Sequence, residues 1–428
     1  MVIRQTSNVM QMISVEEARA YILRHFAPLE AERVELLDAL DRVLTEDIVS
    51  PIHVPPHNNS AMDGYAVRAQ DIRGASKTNP IRLNVVADLG AGYVPDAEVT
   101  QDTAVRIMTG AVIPRGADTV VRFEETSEAV DQKASGKGSG SVEILNAPER
   151  GANVRLAGED IRAGEIVLRK GTLLRPPEIG LLASIGQSKV NVHRRPRVAI
   201  LATGDELVEI DAPLSEGKIR NSNEYSNAAA VLKAGGVPIR LGIARDNVQD
   251  LTRKIRKGVD AGADLFITSA GVSVGDYDIV KDVLNSEGEM HFWQVNMKPG
   301  KPLAFGIVGG VPLLGLPGNP VSAIVSFETF ARPAILTMLG KTKFARPQVE
   351  AILQDRAENN AGRRNYIRVF VSRNGNGEYT AMTTGEQGSG ILSSITRANG
   401  LLEMPPEDLE YKPGARVRVT MLDYPEEI

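Results

Sequence analysis

The first periodic segment of the chain has the spacing of an amphipathic helix. Ser14 and Glu17 form an S-x-x-E capping box, which satisfies free backbone N–H groups at the start of a helix. Apolar side chains then recur every three or four residues, at Val15, Ala18, Ile22 and Phe26. This spacing places them on one face and predicts a helix that packs against a core.

Between Ile52 and Ile144 the pattern changes to short apolar runs that are split by Gly, Pro and Asn. The runs IRLNVVADL, AVRIMTGAVI and DTVVRFEE are typical of strands. The polar segment DQKASGKGSGSVEI contains little that could pack, which predicts a solvated hairpin tip. We therefore expect a β-rich region here.

After HRRPR the sequence alternates between strand and helix patterns. The predicted strands are VAILAT, VPIRLGIA, DLFITS, HFWQV, PLAFGIV and VPLLGL. One predicted helix starts near Asn223, another is YDIVKDVLNSEG, and another follows PGNP. A further predicted helix is capped by Asp246 and has an apolar face of Val248, Leu251, Ile255 and Val259. Such alternation predicts a mostly parallel sheet with helices on both faces. From Pro347 onward, YIRVFVS and ARVRVTML predict a small all-β domain.

Composition narrows the chemistry that the chain can carry. The sequence has 49 Lys plus Arg and 54 Asp plus Glu, a formal net charge of −5, which argues against general nucleic-acid binding. It has no cysteine, which excludes disulfides, thiolate nucleophiles and cysteine-ligated metals and fits a cytoplasmic protein. Of its five histidines only His53 and His57 have the H-x-x-x-H spacing, and the two prolines between them exclude a helix, so we expect any metal to be a hard ion held by carboxylates, by default Mg²⁺.

Neither of two segments that could suggest a membrane or export signal has the required pattern. The N-terminal MVIRQTSNVMQM lacks the apolar core of a signal peptide. Residues 302–327 carry no charge, but several glycines and prolines interrupt them, which is incompatible with a membrane helix of about 20 residues. We expect a soluble, intracellular protein.

Polar loops follow several strands of the predicted sheet. TGDE, SAGVSVGDYD and LPGNP each leave a strand, and Asp246 follows another. Because ligands bind outside the carboxyl ends of parallel strands, we expect these loops to meet at one edge. A Ser/Gly loop cradles anions, neighbouring carboxylates can hold a divalent ion, and KPGKP adds two ammonium groups. Each of these loops taken alone could be an ordinary turn or helix cap, and Asp63 with Gly64 could be a simple D-G turn. Several such loops at one sheet edge together favour a phosphate-type site.

A series of motifs then carries a resemblance over nearly the whole chain. In order they are ISVEEARAYIL, NSAMDGYAV, RIMTGAVIPRGADTVV, GEDI, ATGDEL, TSAGVSVGDYD, MKPGKPLAFG, GLPGNPVSA and QGSGILSSITRANGLL. The sequence resembles the molybdopterin molybdenumtransferase family, the MoeA-type enzymes, whose relatives include the gephyrin E domain. SVGDYD alone would also suit the related molybdopterin adenylyltransferases.

The resemblance implies a multidomain α/β plus β fold and a homodimer. It implies a discontinuous helical and β domain at 1–48 and 157–194, with a β-rich domain inserted at 49–156. An α/β domain would occupy 195–342, with a mostly parallel sheet covered by helices on both faces, and a small C-terminal β-barrel would occupy 343–428. In this family the active site lies between the α/β domain of one subunit and the inserted domain of its partner.

The resemblance also implies the reaction and its residues: molybdate-derived molybdenum enters adenylylated molybdopterin, and AMP leaves with the help of Mg²⁺. The implied catalytic residues are Asp63, Thr109, Asp160, Glu206, Lys298 and Lys301. The implied cofactor-binding residues are Ser269, Gly271, Ser273, Gly275, Pro317, Gly318, Asn319, Pro320, Arg363 and Ser394. Among these, Lys298, Arg363 and Ser394 are expected to meet molybdate, and Asp246 and Asp278 to hold magnesium.

The sequence departs from the family pattern at two positions, and two other functions are alternatives. Gln294 stands where many members carry lysine, and Ala270 replaces the first glycine of the usual S-G-G. The GVSVGD loop alone would also fit a molybdopterin adenylyltransferase, and the gephyrin relative suggests a scaffold or binding protein. A separate adenylyltransferase is an expected partner, and the sequence does not decide between molybdenum and tungsten.

Overall fold

The computed structural model of the protein describes residues 11–94, 96–130, 140–245, 247–269, 288–360 and 362–423. The predictions for Asp246, for the SAGVSVGDYD loop beyond Ser269, for the YDIVKDVLNSEG helix and for most of the hairpin tip lie outside these ranges. The chain divides into two compact units. Unit 1 comprises Met1–Glu32, Asp41–Val43 and Asn191–Ile428, and unit 2 comprises Arg33–Leu40 and Leu44–Val190.

The strands are numbered in chain order. They are β1 (Gln11–Ile13), β2 (Ala31–Glu35), β3 (Ile48–Val49), β4 (Asn59–Ser60), β5 (Gly64–Val67), β6 (Ile81–Leu89), β7 (Thr103–Ile107), β8 (Thr119–Arg122), β9 (Ser141–Ile144), β10 (Val154–Arg155), β11 (Ile166–Leu168), β12 (Lys189–His193), β13 (Arg197–Thr203) and β14 (Leu207–Val208). They continue with β15 (Ile219–Arg220), β16 (Val237–Ala244), β17 (Leu265–Ser269), β18 (Gly288–Val295), β19 (Met297–Lys298), β20 (Pro302–Val308), β21 (Val311–Leu316), β22 (Gln348–Leu353), β23 (Ala357–Glu358), β24 (Arg364–Arg373), β25 (Tyr379–Thr383), β26 (Gly400–Met404), β27 (Glu410–Tyr411) and β28 (Arg416–Met421).

The described helices are short to medium in length. The α-helices are α1 (Val15–Leu23), α2 (Ser127–Val130), α3 (Pro176–Ser184), α4 (Ser222–Ala234), α5 (Val248–Asp260), α6 (Pro320–Ser326), α7 (Arg332–Met338) and α8 (Leu392–Thr396). Three 3₁₀ turns cover Leu37–Ala39, Ala69–Ile72 and Phe123–Glu125, and a π-helical turn, Phe327–Ala331, joins α6 to α7. Within the described ranges no helix has both the length and the apolar character needed to cross a bilayer.

The predicted capping box starts α1. Ser14 Oγ accepts from the backbone N–H of Glu17 at 3.1 Å, and the Ser14 N–H donates to Glu17 Oε2 at 2.8 Å. The helix ends at Leu23, so Phe26 lies beyond it and packs beside the core. Val15, Ala18 and Ile22 are buried in the main core of unit 1. The predicted apolar face is confirmed, and it packs α1 against the α/β sheet.

Unit 1 contains a seven-stranded sheet in the order β1–β18–β20–β21–β17–β13–β16. Four of its neighbouring pairs are parallel, and β20 is antiparallel to both of its neighbours. One face packs with α1, α4, α6 and α7, and the other packs with α5. The mostly parallel sheet covered on both faces is therefore confirmed, and the short edge strand β1 is an addition that no sequence pattern predicted.

The start of α5 differs from the prediction. Asn247 is the N-cap, because its side chain accepts from the backbone N–H of Asp250 at 2.9 Å. Leu251 and Ile255 are buried as expected, whereas Val248 is 54% exposed. Side chains of a helix lean toward its N-terminus, so a residue in the first position extends past the helix instead of onto the sheet.

The C-terminal strands close into a small barrel. β24, β25, β22, β28 and β26 pair in that order, and β26 pairs back with β24. Alternate residues of β24, Ile367, Val369 and Val371, point into its core. β19 extends the barrel sheet beside β24, which matters for the site because β19 contains Lys298.

Unit 2 contains a five-stranded mixed sheet in the order β8–β5–β7–β6–β9. Its strand β5 lies between β7 and β8 and pairs antiparallel with both. Tyr65 and Val67 pack into one apolar cluster, and Ala66 packs into the other. Both faces of the sheet are therefore covered, and the loops at its ends are left to carry function.

Candidate functional site

Unit 1 has a cleft of about 1080 Å³ between the ends of the α/β sheet strands and the barrel loops. Its lining includes four cationic side chains and three carboxylates: Lys298, Lys301, Arg356, Arg363, Glu206, Glu358 and Glu386. Pro317, Gly318 and Asn319 of the LPGNP loop lie in the same lining. The structure thus brings together the predicted Glu206, the two lysines of KPGKP, this loop and Arg363.

The two lysines stand on a segment that passes from the barrel to the α/β sheet. Lys298 pairs with Asn365 at the end of β19, while Pro302 opens β20 of the larger sheet. The backbone N–H of Val295 donates to the carbonyl of Lys301 at 2.7 Å, which fixes the far end of the turn. Both lysines are half-buried, so their ammonium groups can reach a ligand in the cleft from an anchored backbone.

The cationic side chains of the cleft differ in whether a carboxylate neutralises them. Arg356 Nε lies 3.0 Å from Glu358 Oε1 and 2.7 Å from Glu410 Oε1. Arg363 donates to the carbonyl of Met297 at 3.2 Å, a neutral acceptor. Among the residues that the structure describes, Arg363 and the two cleft lysines form no ion pair. No described carboxylate therefore neutralises these three charges.

Glu206 offers the cleft an exposed carboxylate through a turn that requires glycine. Gly204 has φ +138°, and a Cβ at that position would lie 2.4 Å from Glu206 Oε2. Only glycine lets the carboxylate fold back this closely. A carboxylate oxygen is a donor that Mg²⁺ prefers. The described residues contain no group of three or more metal-ligating side chains, and Asp246 and Asp278 lie outside them, so the magnesium assignments stay predictions.

Hydrogen bonds connect the LPGNP loop to the barrel loop QGSG. Asn319 Nδ2 donates to Ser389 Oγ at 3.0 Å, and the Val321 N–H donates to the Ser389 carbonyl at 3.1 Å. On the other side, Asn223 Nδ2 donates to the Gly318 carbonyl at 2.7 Å. Pro320 opens α6 directly behind the loop. Ser389 was not among the predicted site residues, although it belongs to the quoted QGSG motif.

The structure does not bring Ser394 to the cleft. Its side chain is fully buried on α8, where Oγ donates to the Ile391 carbonyl at 2.7 Å and accepts from Arg368 Nε at 3.2 Å. Ser269 is also buried, at the end of β17. Gly271, Ser273 and Gly275 lie outside the described residues. Of Ser389 and Ser394, Ser389 is the one that lines the cleft.

Arg368 is a second residue that the sequence predictions missed. It is 1% exposed, and its burial lowers the pKa of the guanidinium to about 10. Its Nη2 donates to the Gly388 carbonyl at 3.2 Å, and its backbone N–H donates to Gln387 Oε1 at 2.9 Å. Arg368 therefore supports the loop that presents Gly388 and Ser389 to the cleft. An arginine within the apolar run YIRVFV was the available sequence signal.

In unit 2 two of the predicted residues contact each other. Asp63 Oδ1 accepts from the Thr109 backbone N–H at 2.7 Å and from Thr109 Oγ1 at 2.8 Å. The backbone hydrogen bond, followed by the hydroxyl, lowers the pKa of Asp63 below its ordinary value. Both side chains are exposed. Asp160 is exposed as well, and its backbone N–H donates to the Val54 carbonyl at 3.1 Å.

Replacing Thr109 with valine is expected to raise the pKa of Asp63, because the hydroxyl donor is lost while the backbone donor stays. The lowered native pKa stabilises the fold above the ordinary carboxyl pKa, and this contribution is lost as the pH falls through the native value. Thr109→Val should therefore reduce stability near neutral pH and not in strong acid. Carboxyl ¹³C NMR titration measures the shift, with Thr109→Ser as the control that keeps the donor. Equal Asp63 pKa values in the wild type and Thr109→Val would contradict this.

Comparison with known proteins places these features in one family. The MoeA N-terminal region (domain I and II) matches residues 13–186, a probable molybdopterin binding domain matches 199–337, and the MoeA C-terminal region (domain IV) matches 350–422. The molybdopterin molybdenumtransferase of Haemophilus influenzae is 36% identical over 95% of this chain and 98% of its own length. Molybdopterin molybdenumtransferase 2 of Mycobacterium tuberculosis is 37% identical over 95% of this chain and 99% of its own.

A solved structure agrees with this match over the same extent. The molybdopterin biosynthesis moeA protein from Pyrococcus horikoshii superposes with a TM-score of 0.81 at 31% identity. The alignment covers 97% of this chain and 100% of that one. The motifs, the three matched regions and the full-length relatives agree: this chain belongs to the molybdopterin molybdenumtransferase family.

Proposed function

We propose that this chain inserts molybdate-derived molybdenum into adenylylated molybdopterin and releases AMP with the help of Mg²⁺. The observation that carries this proposal is the cleft of about 1080 Å³ in which Lys298, Lys301 and Arg363 present charge that no described carboxylate neutralises. Molybdate and the adenylylated substrate are both anions, so this cleft suits them. Full-length relatives named molybdopterin molybdenumtransferase support the assignment.

We assign the binding of molybdate to Lys298, Arg363 and Ser389. An ammonium, a guanidinium and a hydroxyl are the donors that a tetrahedral oxyanion needs. Ser389 Oγ already accepts from Asn319, so its own hydroxyl hydrogen is left for a ligand oxygen. Lys301 would then offset the charge that develops on the phosphate as AMP leaves.

We propose that magnesium would be held by Asp246 and Asp278. Glu206, which we expect at the same edge of the sheet, is a carboxylate that the structure describes. When bound, Mg²⁺ would polarise the phosphate and neutralise charge on the departing AMP. Of these three carboxylates the structure describes Glu206, which lines the cleft and lies against the turn at Gly204.

Replacing Asp278 with asparagine is expected to raise the Mg²⁺ concentration for half-maximal AMP release by about tenfold or more, because one charged ligand is lost. The thermal midpoint of unfolding should not change, since the substitution keeps the size of the side chain. A Mg²⁺ titration of AMP release measures the effect. Asp260→Asn, an exposed position on α5, is the matched control. Unchanged turnover and metal dependence would overturn the assignment of Asp278.

A single-turnover assay tests the reaction itself. Purified protein is given adenylylated molybdopterin and Mg²⁺, and AMP is measured with and without molybdate. Release that depends on molybdate, together with active cofactor, is the expected result. ATP-dependent adenylylation without molybdate would favour the adenylyltransferase function instead. No release under either condition would favour a scaffold or binding role.

We also infer that the chain acts in the cytoplasm as a homodimer and receives its substrate from a molybdopterin adenylyltransferase. In this arrangement Asp63 and Thr109 of a second subunit complete each site, as the resemblance to the family implies. Their mutual hydrogen bonds give Asp63 a fixed, ionised carboxylate, which is a suitable group to orient a substrate. Sedimentation equilibrium is the direct test, and a monomer at assay concentrations would contradict the dimer.

A further inference from the structure

A second cavity, of about 380 Å³, lies in unit 1 and shares no lining residue with the cleft. α1, the π-helical turn and α7 contribute one side, and β24, β26 and β28 of the barrel contribute the other. The charged side chains that line it are Arg19, Arg332, Arg346, Glu328 and Glu403. None of them has a part in the proposed insertion reaction.

Both carboxylates of this cavity are already engaged by other arginines. Glu328 accepts from Arg346 Nε at 2.9 Å and from Arg346 Nη2 at 2.8 Å, a bidentate pair. Arg346 Nη1 donates to the Leu422 carbonyl at 2.9 Å. Glu403 lies 3.2 Å from Arg364 Nε. These bonds engage all three guanidinium nitrogens of Arg346 and leave neither carboxylate dedicated to Arg332.

Arg332 is thus a largely buried guanidinium whose positive charge is only weakly neutralised by its neighbours. Its side chain is 16% exposed, Nη1 donates to the Phe344 carbonyl at 2.7 Å, and Glu328 Oε2 is 3.7 Å from Nε. Burial, and then the neighbouring Arg346, lower the pKa of Arg332. A largely buried guanidinium that shares its nearest carboxylate with Arg346 is poorly compensated, and a bound anion would relieve this. Arg19 on α1 adds an exposed positive charge at the same cavity.

Two further features of the lining indicate a ligand with an apolar part. The π-helical turn places Glu328 and Thr329 on the cavity, and π turns are rare and often occur at functional sites. Phe344 and Leu401 also line the cavity, so an apolar surface faces the arginines. Burial of an apolar group against these side chains would add to the attraction between charges.

We propose that this cavity binds a small organic anion, with its charged head at Arg332 and its apolar body against Phe344 and Leu401. The site is independent of the molybdenum chemistry proposed for the cleft. Its ligand class follows from the lining: a carboxylate or phosphate monoester on an aromatic or aliphatic group pairs with a guanidinium, and a neutral analogue does not.

Isothermal titration calorimetry with benzoate and phenyl phosphate tests the charged head, and benzamide is the neutral analogue. Benzoate or phenyl phosphate should bind the full chain, and benzamide should bind at least about tenfold more weakly. If only phenyl phosphate binds, the charged head of the ligand is a phosphate monoester and not a carboxylate. Equal affinity for benzamide, or binding of none of the three compounds, would overturn the proposal.

Variants separate this cavity from the cleft. Arg332→Gln should reduce the affinity for the anion about tenfold or more, because a charge-assisted hydrogen bond is lost. Arg19→Gln, at an exposed position of α1, should reduce it less, and it keeps the proposal testable if Arg332→Gln folds poorly. Arg416→Gln on β28 removes an arginine charge outside the cavity lining and is the matched control. Lys301→Gln removes a charge from the cleft and shows whether the anion binds there instead. A loss of affinity in Lys301→Gln, with Arg332→Gln and Arg19→Gln unchanged, would place the ligand in the cleft and contradict the proposal.

Discussion

Replacing Lys298 with glutamine is expected to slow molybdate-dependent AMP release by about 100-fold or more. Lys298 stands in the cleft on a backbone that pairs with the barrel, and no described carboxylate neutralises its charge. Glutamine keeps a polar side chain but removes the charge that the proposal uses to hold molybdate and stabilise the departing phosphate. Single-turnover AMP release at saturating molybdate measures the effect on the chemical step, and a molybdate titration separates it from binding.

Three controls make the Lys298 result specific. Lys412→Gln removes an exposed lysine of the barrel and should leave turnover unchanged. Lys298→Arg keeps the charge and should recover part of the lost rate. Mixing Lys298→Gln with Asp63→Asn protein should restore activity if one subunit supplies Asp63 and the other supplies Lys298. Wild-type rates in Lys298→Gln would remove this residue from the mechanism.

The α/β part of the fold was predictable because its signals are local. The capping box at Ser14, the buried runs such as VAILAT and DLFITS, and the glycine that ends α4 each act within a few residues. Their alternation then fixes a parallel sheet with little dependence on the rest of the chain. Strand β1 was not predictable in this way, because three residues carry no period and pair only with the distant β18.

The candidate site was predictable in part. Loops at the carboxyl ends of parallel strands must lie along one edge, and the cleft contains Glu206, Lys298 and the LPGNP loop as that rule requires. The barrel residues were harder, because strand pairing far along the chain decides which side chain faces the cleft. Ser389 and Ser394 are five positions apart, yet one lines the cleft and the other is buried against Arg368.

Gly64 shows how one local signal has two physical meanings. An Asp-Gly pair between apolar runs is typical of a tight turn, which was one interpretation of Asp63 and Gly64. In the structure Gly64 instead opens strand β5, opposite Ile107 in β7 and Arg122 in β8. A Cβ at Gly64 would lie 1.9 Å from the carbonyl oxygen of Val121. The glycine is therefore required by the close approach of β8, which the sequence does not reveal.

Gly64→Ala is accordingly expected to destabilise unit 2 by about 3 kcal/mol or more, because the added methyl group meets backbone that cannot rotate away. Hydrogen exchange of the amides in β5, β7 and β8 measures this within the unit. Gly180→Ala is the matched control: nothing lies within 4 Å of its Cβ position on α3, so alanine should stabilise that helix by about 0.5–1 kcal/mol. Because Asp63 precedes Gly64 directly, the strain should also displace its carboxylate from Thr109. If Gly64→Ala exchanges as slowly as the wild type, β5 and β8 are not packed as closely as this pairing requires.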